Sequence, residues 1–395
     1  MREVSSAAGV QSALVANLLE QIPGVAERVN ALLSPSVALR SRIREHLLAN
    51  DALLQVAAEP DTRGLVAVDG ARVQQSWFAV DFLAACAVAA PGRRVEGGMD
   101  LAVDAEIAAL PRTIDTDRAA SLVMSALELG VAAQVRDATV ALDGALVTNY
   151  LSFFATFPHL TSAEAIELVV EATHERALAG ARRITDATGP VIALSKADTG
   201  RVFAETWEQQ LGEHVALSDK LLASVVLEPG EFLAPLPQLG FVNMQPRASD
   251  DDHGAFAGVD RGLRARAQQL ISDLGEALRP AMRASAEQRV MSTYVKPAGS
   301  ITAVKMEFIT PSVEEAIPTA RDLVKVVVGD TAGPHMQEPM SQYLADTLAK
   351  GVSPAITPLR ARLVDHLRTA HPGDGGAESY MRWLLTDYRT PGASR

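Results

Sequence analysis

Two hexapeptides in this 395-residue sequence nearly repeat: Val66-Ala-Val-Asp69-Gly-Ala71 and Val140-Ala-Leu-Asp143-Gly-Ala145. Each ends a short apolar run on an aspartate with glycine behind it. A buried strand holds such a carboxylate rigidly, and the glycine lets backbone or ligand come close. Either one alone reads as an ordinary Asp-Gly turn; the matched lead-ins make the pair a candidate site. A third carboxylate is more telling. From Ala119 to Val135 the only ionisable side chain is Glu128, and its helical neighbours Met124, Ser125, Val131 and Ala132 form a largely apolar face. A buried carboxylate is normally paired, for which Arg118 or Arg136 could serve, or else protonated or bound to a cation. Asp69, Glu128 and Asp143 together are three oxygen donors of the kind that Mg²⁺ or Mn²⁺ takes. Paired cations of that type activate water and steady the leaving oxygen of a phosphodiester.

The elements that must position these groups follow from hydrophobic period. Residues 1–60 read as a helical arm, with Leu14, Leu18, Leu19 and Ile22, then Val29, Leu32 and Leu33, then Leu39, Ile43, Leu47 and Leu48 at helical spacing, punctuated by Pro23 and Pro35. Such an arm suits packing between subunits. Gly64–Gly70 and Ser76–Ala84 read as adjacent antiparallel strands joined by a polar link at Ala71–Gln75. A helix is expected over Asp117–Val135, with Asp115 or Asp117 as N-cap. Strand is expected at Ala138–Gly144, helix from Ser162 to about Thr185, and strand again at Gly189–Ser195. Beyond an irregular proline-bearing stretch come an arginine-rich helix over Gly258–Ala286, two strands between Val290 and Ile309, and helices after Ser312, near Met340–Lys350 and in the tail. Strands interleaved with helices make the chain α/β. The expected division is an arm (1–60), a core with helical insertions (61–355) and a helical tail (356–395).

Further candidates carry weaker signals. Lys196 follows an apolar strand, where its charge could neutralise a phosphate or the attacking oxygen, although a strand-end lysine is ordinarily exposed. Tyr294 and Lys296 alternate on a strand that could contact DNA or merely be half exposed, and Arg72 and Arg201 are further candidate DNA contacts. His335 could shuttle a proton. Asp250, Asp251, Asp252 and His253 suggest a metal cluster on paper, but consecutive residues cannot all converge and a solvated loop is the better reading. Only six of the 36 basic residues are lysine, and Arg261, Arg264, Arg266, Arg279, Arg283 and Arg289 concentrate on helical segments. Arginine suits phosphate, yet interleaved Asp260, Asp273, Glu276 and Glu287 equally suit a salt-bridged face.

Composition excludes several classes. A single cysteine, Cys86, rules out an internal disulfide framework and a thiolate-only zinc site. There is no phosphate-binding loop with Gly-Lys-Ser/Thr, no Gly-x-Ser-x-Gly elbow and no His-Glu-x-x-His motif. No signal peptide or 18-residue apolar span stands out, so a cytoplasmic protein away from membranes is expected. The net charge of −12 argues against unaided attraction to nucleic acid, although a total cannot see a local patch.

Taken in order, the segment around Asp69, the Leu127-Glu128-Leu129 helix, Leu142-Asp143-Gly144-Ala-Leu146, Ile192-Ala-Leu-Ser195-Lys196 and Leu344-Ala-Asp346 resemble the NurA family of nucleases over roughly residues 60–355. That resemblance implies a ribonuclease H-like mixed sheet flanked by helices and a Mn²⁺- or Mg²⁺-dependent DNA nuclease. It also implies a homodimer working with a hexameric HerA-type ATPase, in DNA end processing or antiviral defence. By it, Asp69, Glu128 and Asp143 are metal ligands, Asp346 fills the last acidic position and Lys196 matches a Ser-Lys pair. The sequence departs from the family where Ala71 and Ala145 follow the Asp-Gly pairs, and where Gln337 and Glu338 stand in the stretch that bears an aromatic residue. Those departures keep open a catalytically silent scaffold docking on the ATPase ring. A different metal-dependent phosphohydrolase acting on a nucleotide is a third reading.

Overall fold

Alternating valine, alanine and leucine between Asp-Gly breaks builds strands buried on both faces, and longer helical periods between them supply the covering layers. The computed structural model describes residues 7–56, 64–77, 80–92, 101–185, 189–196, 199–215, 217–238, 256, 259–331 and 338–370. In chain order the elements begin with α1 (Ala7–Ala49), β1 (Leu53–Gln55), β2 (Leu65–Ser76), β3 (Val80–Pro91), β4 (Val103–Pro111), α2 (Asp115–Gln134), β5 (Thr139–Asp143) and α3 (Thr148–Ala155). They continue with α4 (Ala163–Ile184), β6 (Val191–Ser195), α5 (Val202–Leu211), α6 (Asp219–Val226), β7 (Glu231–Leu233), β8 (Leu236–Pro237), α7 (Arg261–Ala277) and α8 (Arg279–Ala286). The last are β9 (Val290–Lys296), β10 (Val304–Ile309), α9 (Ala316–Asp330), α10 (Met340–Ala349) and α11 (Val352–Ala370).

Among the described residues all strands join one mixed sheet in the order β1-β7-β9-β10-β6-β5-β2-β3-β4, with β8 paired to β9. Within it β2, β5 and β6 are parallel neighbours, while β3 is antiparallel to both β2 and β4. The run β4-β3-β2-β5-β6 is the strand order of a ribonuclease H-like core. Alternation sorts the two faces. Val66 and Val68 of β2, Leu83, Ala85 and Ala87 of β3 and Val140 and Leu142 of β5 pack against α2, α4 and α7. Leu65, Ala67 and Ala141 face the other way, toward α9 and α10, while Phe82 and Ala84 of β3 meet α11.

Several sequence expectations change in detail. The arm over residues 1–60 includes the strand β1, because Leu53–Gln55 pair in register with β7. Pro23 and Pro35 lie inside one continuous helix rather than ending it. The polar link at Ala71–Gln75 is itself strand, each residue paired with β3, so the reversal lies beyond Ser76. Neither Asp115 nor Asp117 caps α2. Asp115 is instead fully buried, with its Oδ2 accepting from Thr161 N, Thr161 Oγ1 and Ser162 N at 2.7, 2.8 and 2.9 Å. β4 and the helices α3, α5 and α6 had no expectation attached to them.

The tightest helix contact holds α2 in place. A Cβ at Gly180 of α4 would sit 2.4 Å from Leu129 Cβ and 2.9 Å from the Leu129 backbone. Backbone cannot yield as a flexible side chain does. Gly180→Ala is therefore expected to destabilise the fold by about 1–3 kcal/mol, read as a lowered urea midpoint with an unchanged slope. An unaltered midpoint would show that the two helices separate freely.

Candidate active site

The two near-repeated hexapeptides lie side by side. Parallel pairing matches Val66 to Val140, Ala67 to Ala141 and Val68 to Leu142, so Asp69, within β2, and Asp143, the last residue of β5, stand in the same register where that pairing stops. By alternation both aspartates project to the α9–α10 face. Lys196, one residue beyond β6, joins them there. Its Nζ lies 3.0 Å from Asp69 Oδ2, 3.6 Å from Asp143 Oδ2, 3.5 Å from Glu338 Oε2 and 3.6 Å from Asp346 Oδ1.

Glu128 arrives from the opposite face, on α2. It reaches the cluster because residue 70 has no side chain. A Cβ there would meet Glu128 Oε1 at 2.5 Å and Met124 Cγ at 2.9 Å. The glycine of the first Asp-Gly thus admits a carboxylate from the same chain. Asn149 Nδ2 donates to Glu128 Oε2 at 2.8 Å. Neither Arg118 nor Arg136 pairs with Glu128; Arg118 instead lies 3.7 Å from Asp115.

Fixed hydrogen bonds set the other members. Gly70 N donates to Asp69 Oδ1 at 2.8 Å. Gln342 Nε2, on α10, donates to Asp143 Oδ1 at 2.8 Å and to Leu194 O at 3.2 Å. Ser195 Oγ donates to Gly144 O at 2.9 Å, and Leu146 N donates to Glu307 Oε2 at 3.1 Å, which anchors the turn behind Asp143. Asp346 also pairs with Lys350, one helical turn on, at 2.6 Å.

Charge is crowded here. Burial, then Asp69 and Asp143, pushes the Glu128 carboxyl up to about 8, against the opposing hydrogen bonds from Asn149 and Gly70. Burial also raises Asp69 and Glu338, although Lys196 pulls both down. For Asp346 the upward push of burial is outweighed by Lys350 and Lys196, and it falls below the ordinary carboxylate value. Lys196 is raised: Asp143 and Asp69 outweigh the cost of burying its ammonium. Asp69 and Glu338, both held high despite that ammonium, mark a surplus of negative charge that a further cation would relieve. The donors are all oxygen, which suits a hard divalent ion. Among the described residues no three His, Cys, Asp or Glu side chains already stand at ligand spacing; they converge through Lys196.

The crystal structure of the NurA nuclease from Sulfolobus solfataricus matches with a TM-score of 0.55, over 90% of this chain and 98% of that one, at 13% identity. This chain has the NurA fold. A NurA crystal structure with manganese matches at a TM-score of 0.50 and 12% identity, over 88% of this chain and 99% of that one. No protein-family model matches the sequence, and no curated protein matches it. In this version of the NurA fold Asp69, Glu128, Asp143, Lys196 and Asp346 come together.

Of the candidate DNA contacts, Lys196 alone gathers with them. Tyr294 is fully buried, edge-on to Phe203 at 5.3 Å, which corrects both the expected DNA contact and the half-exposed alternative. Lys296 lies on β9, away from the cluster, and its Nζ donates to Ser224 O and Leu227 O at 2.7 and 3.1 Å. Arg201 is held by Glu208 at 2.7 Å and by Leu217 O. Arg72 pairs with Asp117. On the arginine-rich helices, Arg266 meets Glu167 and Glu171 while Arg283 and Arg289 meet Glu287, the salt-bridged alternative. His335, Asp250, Asp251, Asp252 and His253 lie outside the described residues. Sequence reasoning missed Glu338, Gln342 and Asn149 as members. For Glu338 and Gln342 the four-residue steps leading to Asp346 were an available signal; Asn149 had none.

A carboxyl at about 8 in the fold against an ordinary 4.5 binds a proton that the unfolded chain releases. Its contribution to stability is full below the unfolded value and disappears as pH rises through the folded one. In a chelator, the unfolding free energy should fall between about pH 5 and pH 8, by at most about 1.4 kcal/mol per pH unit for this group. Glu128→Gln should remove most of that slope. An unchanged slope in the variant would dismiss a protonated Glu128.

Proposed function

We propose that this protein is a divalent-metal-dependent DNA nuclease that hydrolyses phosphodiester bonds. The observation that carries the reading is the convergence of Asp69 and Asp143 from adjacent parallel strands with Glu128 from the other face of the sheet. The fold shared with NurA nucleases, one of them crystallised with manganese, supports it. Asp69, Glu128 and Asp143, with Asp346, would hold Mn²⁺ or Mg²⁺. When bound, such an ion supplies Lewis acidity and a more acidic water. The chain's own part is to hold those carboxylates through Gly70, Asn149 and Gln342, and to aim Lys196 at charge building on phosphate oxygens.

The partners belong to the same reading. A HerA-like hexameric ATPase would feed DNA to the site, in end processing or antiviral defence. Homodimerisation would cover Val15, Leu18, Leu19 and Ile22 of α1, which are exposed. The division into arm (1–60), core (61–355) and tail (356–395), and a cytoplasmic location, remain parts of this proposal. Among the described residues no helix is long and apolar enough to cross a membrane.

The test is cleavage of linear DNA with Mn²⁺, with and without the cognate ATPase. Asp69→Ala and Glu128→Ala should each lower the rate at least about a hundredfold, the upper end of what removing even an outer partner of a metal ligand does. Undiminished cutting by both variants would sink the nuclease site. A wild type that binds the ATPase yet never cuts would establish the silent scaffold in its place.

A further inference from the structure

Glu338 stands in the cluster without a role in the nuclease reading. It directly precedes Pro339, the residue at the start of α10, and that start is pinned where Ser341 N donates to buried Asp330 Oδ2 at 2.8 Å. Its Oε2 is buried and accepts no hydrogen bond among the described residues. The nearest cation, Lys196 Nζ, is 3.5 Å away, while the same ammonium makes its close contact to Asp69 at 3.0 Å. A buried carboxylate oxygen with no donor is costly unless a stronger partner meets it.

The placement of that oxygen is specific. Gln342 and Asp346 follow Glu338 at four-residue steps, so the start of α10 and its first turns present one polar face to the strand ends. Gln342 takes Asp143 Oδ1, Lys350 takes Asp346 Oδ2, and both Asp143 and Asp346 keep their second oxygens toward the shared ammonium. Glu338 turns its oxygen to the same point. The centre therefore has a half built by α2, through Glu128, and a half built from the opposite face by α10.

We propose that Glu338 is a cation ligand of this site, completing with Asp143 and Asp346 the half that α10 contributes. The proposal rests on the metal-dependent reading above. Its test is Mn²⁺ titration of the full-length protein by calorimetry, with thermal melts in chelator to confirm folding. Wild type should bind Mn²⁺. Glu338→Gln and the shorter Glu338→Asp should both weaken binding at least about tenfold, at the lower end of what even outer partners of ligands contribute, while their melts in chelator stay close to wild type.

A Glu338→Asp protein with wild-type affinity would overturn the ligand role, because only charge would then matter. Wild-type affinity in Glu338→Gln would overturn it outright. If neither variant folds, Mn²⁺-dependent broadening of a ¹³C-labelled glutamate carboxylate, assigned in the folded single variant Glu338→Ala by its disappearance, decides. No broadening at position 338 overturns the proposal. Wild type that binds no Mn²⁺ at all brings down the metal-dependent reading itself, a result separable from normal binding that ignores Glu338.

Discussion

Like charge held at close quarters is the constraint on which the rest of this structure turns. One ammonium, Lys196, spans Asp69, Asp143, Glu338 and Asp346, and Glu128 presses in from behind Gly70. Burial strips these carboxylates of water and mutual repulsion adds to the cost. The protein meets that cost locally. Asn149, Gln342 and the Gly70 amide each hold one carboxylate in place, and Glu128 keeps its proton to about 8. A site with surplus negative charge and rigid donors is poised for a cation and poorly suited to remain without one.

The sheet explains why the charges meet. Parallel pairing of β2 with β5 stops at Val68 and Leu142, which sets Asp69 and Asp143 side by side although β2 runs on against β3, and the connection through β3, β4 and α2 returns Glu128 across the sheet. Close approach of α4 at Gly180 fixes the height of α2, and Gly70 opens the passage for its carboxylate. On the other face α10 supplies Gln342 and Asp346 against the same strand ends. Elsewhere several arginines sit in surface ion pairs, such as Arg266 with Glu167 and Arg283 with Glu287. With a net charge of −12, long-range attraction to a polyanion is weak.

Much of the site was legible in one dimension. The matched lead-ins to Asp69 and Asp143 recorded equivalent places on neighbouring parallel strands, where both faces are apolar and the pattern is forced to repeat. Glu128 stood out because a lone charge on an apolar helix demands a reason. Tyr294 misled for the converse reason. Alternation on β9 suggested a half-exposed strand, but α1, α5 and α6 cover it and bury the ring. β4 escaped notice because its polar and apolar residues alternate along an edge, with Asp104 and Glu106 turned toward Arg176.

Local pattern by itself determined the strands and helices that carry Asp69, Glu128 and Asp143, that these three residues are unusual, and that the class is α/β. Those properties depend on period, charge and glycine placement within a few residues, and side-chain period survives without knowledge of the neighbours. Only the tertiary structure decided the company they keep. Gln342 lies 199 residues from Asp143, so nothing local records their hydrogen bond. The same holds for Glu338 beside Lys196 and for the role of Gly70 as the opening for Glu128. Convergence of charge is a property of chain crossing, because repulsion and solvation act through space, whatever the distance along the sequence.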